Sequence, residues 1–524
     1  MENSENKHVR FSKGLSAGER LAVEERKIKC AEALGKLPAM HITEDQVPVI
    51  AVLGSGGGIR AMLSLLGSLS GLQEIGVLDC VTYICGVSGS TWAMSSLCEN
   101  PEWTKDLESL TKDICSKVVR QDASWEKIID IIFEEERLRK RLVEAARKND
   151  FSLTDVWAAA VSYLIGKENT HFLSSHQKSV KRGINPYPVY AAINKEAFDI
   201  EEKCHPEIWF EFTPHECGFP YYEAFIETSD FGSKFEEEAV TKSHPELDVC
   251  HLQGIWGSAM AHEETLRRYV KDKVKDLWKT NVDCDPGIVD FIFDSLHGQV
   301  EQGMKMITEY TMNQIEETFA NVNEFSQFLN KTKDALLNWK FGTSYNYLHG
   351  CQWFKKQDKN LKNIDNMIEK EFVSLVDAGL AINCAYPLML HPKRKVDVII
   401  SLDYSDGDIF ETLTLAKDFA DANNLRFPSV DTKDEQPEDC SVYSGPSTPT
   451  VIHMPLFNEF NKHEATISNY STLQSGYSQE DIDKLLKIAK ENVTRNKEKI
   501  LAAIKNDKCA KETIPENSES CCLC

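Results

Sequence analysis

The chain has 524 residues, a formal net charge of −23, 42% hydrophobic and 27% charged residues. These are values of a folded globular protein, which excludes a disordered chain. The acidic excess argues against nucleic acid as a partner and against electrostatic docking on anionic lipid, so membrane contact is expected to be hydrophobic.

The segment Met1–Lys7 has no apolar core of the signal-peptide type, and no apolar run approaches the ~20 residues of a spanning helix. Sixteen cysteines lie without paired metal-ligand spacing, which suits reduced thiols and an intracellular setting.

In chain order, residues 1–46 read as a leader with one helix, opened by a capping box at Ser16-Ala-Gly-Glu19 and stopped near Pro38. The β-branched run Val49–Leu53 follows and empties into Gly54-Ser-Gly-Gly-Gly58-Ile-Arg60. A second run, Val81–Cys85, empties into Gly86-Val-Ser88-Gly-Ser90-Thr-Trp92. A short strand that ends in a Gly-flanked serine and opens a helix is how a nucleophile elbow is built. The earlier glycine turn can aim bare backbone N–H groups at a developing oxyanion, with Gly57 and Gly58 the candidate donors. Together the turns suggest acyl transfer. A phosphate loop would need Gly-Lys-Ser/Thr where Ile59-Arg60 stand, and a dinucleotide fingerprint would need glycine at Ile59. The strict elbow pattern also departs at Ser90.

Farther on, helical patterns cover Ser124–Phe133 and Ser152–Ile165. Residues 260–370 read as almost wholly helical and polar, with apolar spots at Ile288–Phe293, Leu336, Leu337 and Trp339. Phe372–Val376 reads as a buried strand and Asp377-Ala-Gly379 as the turn ending it; an Asp before a Gly is by itself an ordinary turn former. Residues 430–449 read as a mobile surface loop, and 478–506 as a charged, solvent-exposed helix capped by Ser478. The end, Cys521-Cys-Leu-Cys524, has the C-a-a-X form that would attach a prenyl chain to Cys521. One lipid chain holds a protein only marginally, so a further apolar surface is expected.

Gly56–Met62 with Gly86–Trp92 resembles the cytosolic (group IV) phospholipase A2 family, itself related to patatin-like lipases. The likeness continues through Asn185–Tyr190, Glu211–Glu216, Phe231–Phe235, Gly254–Ala259, Val376–Leu380 and Val396–Ser401. It implies an α/β fold: a hydrolase-like central sheet of patatin/phospholipase type, flanked by helices and covered by a large helical cap. It divides the chain into the leader 1–46, a catalytic domain in two segments (47–259 and 371–475), a cap at 260–370, a charged helix at 476–510 and a tail at 511–524. It also implies a Ser–Asp dyad, with Ser88 as nucleophile and Asp377 as its base, and Arg60 binding the phosphate of the lipid head group.

A carboxylate is a weak base for a hydroxyl unless burial raises its pKa, so the dyad requires a secluded Asp377. A conventional triad would recruit His391, His453 or His463 instead. No calcium-loop spacing occurs, since Asp403-Tyr-Ser-Asp406-Gly-Asp408 has its glycine misplaced, and neither metal nor other cofactor is expected. The expected activity is calcium-independent hydrolysis of glycerophospholipids and lysophospholipids at a membrane or micelle surface, with transacylation beside it. The expected location is cytosol and the cytoplasmic face of intracellular membranes such as the endoplasmic reticulum. Two alternatives stay open: a soluble esterase or thioesterase with a Ser-Asp-His triad, and an inactive prenylated scaffold.

Overall fold

The computed structural model describes residues 8–38, 46–118, 136–200, 204–258, 340–356, 363–430, 438–463 and 476–512, with isolated positions between (331, 334–335, 470–472 and 474). The expected helix at Ser124–Phe133, the apolar spots of the expected cap and Cys521 lie outside them.

The centre is a 12-stranded mixed sheet. Its parallel core runs in the order β14 (Thr450–Pro455), β12 (Val398–Asp403), β2 (Ile50–Gly54), β3 (Tyr83–Gly86), β4 (Tyr187–Asn194). Every residue of these five strands is buried, as expected where both faces of a parallel sheet are covered. Beyond β4 the sheet turns antiparallel through β5 (Trp209–Phe212), β6 (Glu216–Phe219), β7 (Ala224–Glu227) and β1 (Arg10–Phe11). On the other flank β13 (Ser441–Tyr443) pairs antiparallel with β14, inside the segment expected to be a loop. A separate hairpin joins β8 (Lys234–Glu236) to β9 (Ala239–Lys242).

The leader is built into this core. Helix α1 (Ala17–Leu34) buries Cys30 and Leu34, and β1 extends the sheet. Ser16 caps α1 by accepting from the Glu19 N–H at 2.9 Å. The other half of the expected capping box gives way to Arg394, because the Glu19 carboxylate turns inward to meet its guanidinium.

Helix α2 (Gly58–Glu74) follows β2, and α3 (Gly89–Cys98) follows β3. Farther along come α4 (Leu107–Val118), α5 (Glu136–Ala146), α6 (Leu153–Ile165, opened by Ser152 and Asp155), α7 (Val249–Trp256) and α8 (Glu411–Ala422). The expected solvent-exposed helix at 478–506 is instead two helices, α9 (Gln479–Arg495) and α10 (Lys497–Glu512). Helix α9 is not a solvated rod. It buries Ile482, Leu485, Ile488, Ala489 and Val493, and a Cβ on Gly67 of α2 would come within 2.5 Å of the Leu486 carbonyl oxygen. Small residues on α2 let the two backbones approach.

Strand β11 (Phe372–Asp377) pairs antiparallel with β4 and with β10 (Thr343–Tyr345). The described residues 340–356 are thus tied to the core: Tyr347 and Leu348 are buried, and the Tyr347 hydroxyl donates to the Ala224 carbonyl at 2.7 Å. The cap expected to reach 370 has given way to core structure by that point.

Candidate active site

Strand β4 is long enough to carry two neighbours end to end on one edge. Gly86 of β3 lies opposite Tyr190, and Asp377 of β11 lies opposite Ala192. The two strands run toward each other, and their ends are separated by two residues of β4, about 7 Å. This arrangement brings the turn carrying Ser88 and the turn carrying Asp377 to one place from distant parts of the chain.

Ser88 has φ 51° and ψ −125°, a backbone region that non-glycine residues occupy only when the surroundings impose it, and one that clusters at functional sites. The backbone around it is closely packed. A Cβ on Gly89 would come within 1.8 Å of the Gly58 carbonyl oxygen, and one on Gly56 within 2.9 Å of the Ser88 Cβ. The two glycine turns therefore touch. Ser90, which departs from the strict elbow, joins them further: its buried hydroxyl donates to the Ser55 carbonyl at 2.6 Å.

Asp377 is fully buried, the seclusion that a carboxylate base requires. Its backbone N–H donates to Ser258 Oγ at 3.0 Å, and its Oδ1 accepts from the Gly379 N–H at 2.8 Å. Leu380 beside it is 39% exposed.

Gly57 (φ 143°) and Gly58 (φ 59°) form the bend between β2 and α2. The first-turn N–H groups of a helix have no intrahelical acceptor, and they point out of a helix end that favours negative charge.

Arg60 is 1% exposed. Its Nε donates to the Tyr404 carbonyl at 2.8 Å, and its Nη1 to the Tyr470 carbonyl at 2.6 Å and to Asp406 Oδ2 at 3.3 Å. Nη2 lies 2.7 Å from where a Cβ on Gly57 would be. Burial pulls the guanidinium below its ordinary pKa, against the opposing pull of Asp406.

None of the three candidate histidines joins this cluster among the described residues. His453 is buried in β14 with its Nε2 3.4 Å from Asp403 Oδ2. His391 precedes β12, at the opposite end of the parallel strands, and burial lowers its pKa to about 4. His463 is exposed.

The sequence reading did not single out Asn383. Both its main-chain carbonyl and its side-chain Oδ1 accept from the Gly56 N–H at 3.1 Å, and its Nδ2 donates to the Gly56 carbonyl at 3.3 Å. It stands six positions after Asp377 in an irregular segment, where no pattern marks it. Among the described residues, no group of three or more His, Cys, Asp or Glu side chains is arranged to hold a metal ion, and no helix is long and apolar enough to cross a membrane.

A buried serine on a strained turn, a buried aspartate and a glycine bend are parts that acyl-transfer chemistry could use. The lysophospholipase catalytic domain family matches residues 50–435. Human cytosolic phospholipase A2 gamma is 35% identical over 97% of this chain and 98% of its own. Mouse cytosolic phospholipase A2 zeta is 34% identical over 96% of this chain and 63% of its own. The solved structure of human GIVD cytosolic phospholipase A2 superposes with a TM-score of 0.74 at 26% identity, over 97% of this chain and 69% of that one. The same relative in complex with methyl gamma-linolenyl fluorophosphonate gives 0.69 at 25% identity, over 97% and 66%. The chain belongs to the cytosolic phospholipase A2 family and carries its lysophospholipase catalytic domain.

Proposed function

We propose that this protein is a calcium-independent phospholipase A2 that cleaves the fatty-acyl ester of glycerophospholipids through a Ser88–Asp377 dyad. The observation that carries the reading is the convergence of β3 and β11 on one edge of β4, with Ser88 held at positive φ and Asp377 shut away from water. Asp377 takes the Ser88 proton as Oγ bonds to the ester carbonyl carbon. The carbonyl oxygen becomes an oxyanion held by the N–H groups of Gly57 and Gly58. Collapse breaks the ester C–O bond, and the lysophospholipid leaves with the proton from Asp377. Water, activated by the same carboxylate, then hydrolyses the acyl-serine. Another alcohol can take the place of water, so lysophospholipase and transacylase activities accompany the main one.

Arg60 approaches the head-group phosphate with a guanidinium whose bonded carboxylate, Asp406, is itself 42% exposed. A prenyl chain on Cys521 and apolar contact bring the enzyme to the cytoplasmic face of intracellular membranes, the endoplasmic reticulum among them. The engagement of His453 with Asp403 and the remote position of His391 favour the dyad over a triad.

The test is fatty-acid release from mixed phospholipid vesicles, with and without a calcium chelator. Wild type should turn over equally in both conditions, and Ser88→Ala should lose several orders of magnitude. Methyl gamma-linolenyl fluorophosphonate should add covalently at Ser88, read by mass spectrometry. Equal release by wild type and Ser88→Ala would defeat the reading.

A further inference from the structure

We infer that Asn383 is a positioning residue for the oxyanion turn, and that Ser405 and Asp403 set the orientation of its side chain. The inference rests on the proposed acyl-transfer reading of Ser88 and goes beyond it by assigning the group that aims the Gly57 N–H.

The bonds admit one arrangement of protons. Asp403 is buried at the end of β12, and its Oδ1 receives both the Ser405 N–H at 3.0 Å and the Ser405 hydroxyl at 2.5 Å. Its Oδ2 faces His453 Nε2 at 3.4 Å. A carboxylate only accepts, so Ser405 spends its one proton on Asp403. The Ser405 oxygen, 2.7 Å from the Asn383 amide nitrogen, must then accept from Nδ2–H. That settles which end of the amide is which, leaving Oδ1 to accept from the Gly56 N–H and Nδ2 to donate also to the Gly56 carbonyl.

One peptide plane is thereby fixed at the point where the chemistry needs it. In a planar trans peptide, the carbonyl of Gly56 and the N–H of Gly57 point in opposite directions. Holding the carbonyl toward Asn383 turns the Gly57 N–H away from it. Ser55 Oγ also approaches the Gly56 carbonyl, at 3.4 Å. Donors on that carbonyl polarise the peptide and strengthen its N–H as a donor in turn. A glycine at 56 is free to rotate, and a Cβ there would come within 2.4 Å of Asn383 Oδ1. The turn therefore has no side chain of its own to hold it, and Asn383 supplies the constraint from outside.

The test uses the full chain with Asn383→Ala, Asn383→Asp and Ser405→Ala, each first checked for folding by its thermal transition. On phospholipid vesicles we expect kcat to fall about 100-fold for Asn383→Ala, in the range found when an oxyanion donor is lost. Asn383→Asp, which cannot donate to the Gly56 carbonyl, should fall comparably, and Ser405→Ala less. KM should stay nearly constant throughout. The rate of fluorophosphonate addition at Ser88 should fall in proportion to kcat, because that transition state also builds charge on oxygen, while KM and the thermal transition stay near wild type, which a general structural loss would not leave unchanged. Folded variants with wild-type kcat and labelling rate, beside an inactive Ser88→Ala, would overturn this inference and leave the dyad standing. An active Ser88→Ala would instead overturn the function on which it rests. If Asn383→Ala fails to fold, Ser405→Ala decides alone.

Discussion

Two buried arginines sit at opposite ends of the same parallel strands, and they are satisfied in opposite ways. Arg394, 3% exposed, is clamped between two carboxylates: Nη1 and Nη2 donate to Glu211 at 2.7 and 2.9 Å, and Nε donates to Glu19 at 3.0 Å. The Tyr83 hydroxyl donates to the same Glu19, and the Tyr83 ring lies 5.7 Å from the Arg394 guanidinium. Burial alone would lower the Arg394 pKa, but Glu19 and Glu211 outweigh it and hold it well above its ordinary value. At the other end Arg60 is as deeply buried, yet two of its acceptors are backbone carbonyls and its carboxylate partner lies toward solvent. Its charge is under-compensated. Burial by itself therefore does not tell these two arginines apart; the location of the counter-charge does, and it supports the proposed phosphate-binding role of Arg60.

Breaking the comparison at its strongest point means removing Arg394. Arg394→Leu leaves Glu19 and Glu211 facing each other without a cation. We expect a loss of about 3–5 kcal/mol of stability, the usual cost of half a buried ion pair, read as a collapse of the thermal transition. His391, which shares a small cavity with Glu19 and Glu211, sharpens the same end. Its folded pKa of about 4 lies below its ordinary 6.5, so the unfolded chain binds the proton more readily. Stability should therefore be full above pH 6.5 and decline as pH falls toward 4, by at most about 3 kcal/mol. His391→Asn should flatten that part of a denaturation-versus-pH profile and leave its neutral end unchanged.

At the active end, Arg60→Lys keeps a charge but loses the fork. We expect kcat/KM on phospholipid to fall about 10- to 100-fold, or roughly 1.4–3 kcal/mol, with a smaller drop on an uncharged ester. Equal losses on both substrates would mean that Arg60 only braces the glycine turn. The smallest effect should come from Gly67→Ala, whose methyl must displace the Leu486 carbonyl of α9. A loss of about 1–3 kcal/mol is expected for such overpacking, with activity largely retained in the folded fraction.

Much of the centre was legible in the sequence because local chemistry announces it. Two β-branched runs emptying into glycine turns predict β2 and β3, and Phe372–Val376 reads as a strand with Asp377–Gly379 the turn ending it. The support around them was not legible, because it comes from residues whose meaning depends on tertiary neighbours. Asn383, Ser405 and Asp403 look like ordinary turn formers, and the turns of two distant segments must meet before they form one network. Glu19 was read through its local capping pattern, which lost to a buried arginine far along the chain. Helix α9 was misread from its charge. The apolar positions Ile482, Leu485, Ile488, Ala489 and Val493 repeat at helical spacing, and Gly67 and Gly71 one turn apart on α2 offered the matching surface.

The order of the strands also has a consequence for synthesis. Strand β2 pairs on one side with β3, but its other neighbour, β12, is made far later, as is the β11 that carries Asp377. A nascent or truncated chain ending before these strands has the proposed nucleophile, Ser88, but not the proposed base, Asp377. It also leaves an apolar sheet edge open to aggregation. On the proposed dyad, a lipid-cleaving enzyme built this way is inert while incomplete, and for the same interval its folding relies on protection from neighbouring chains.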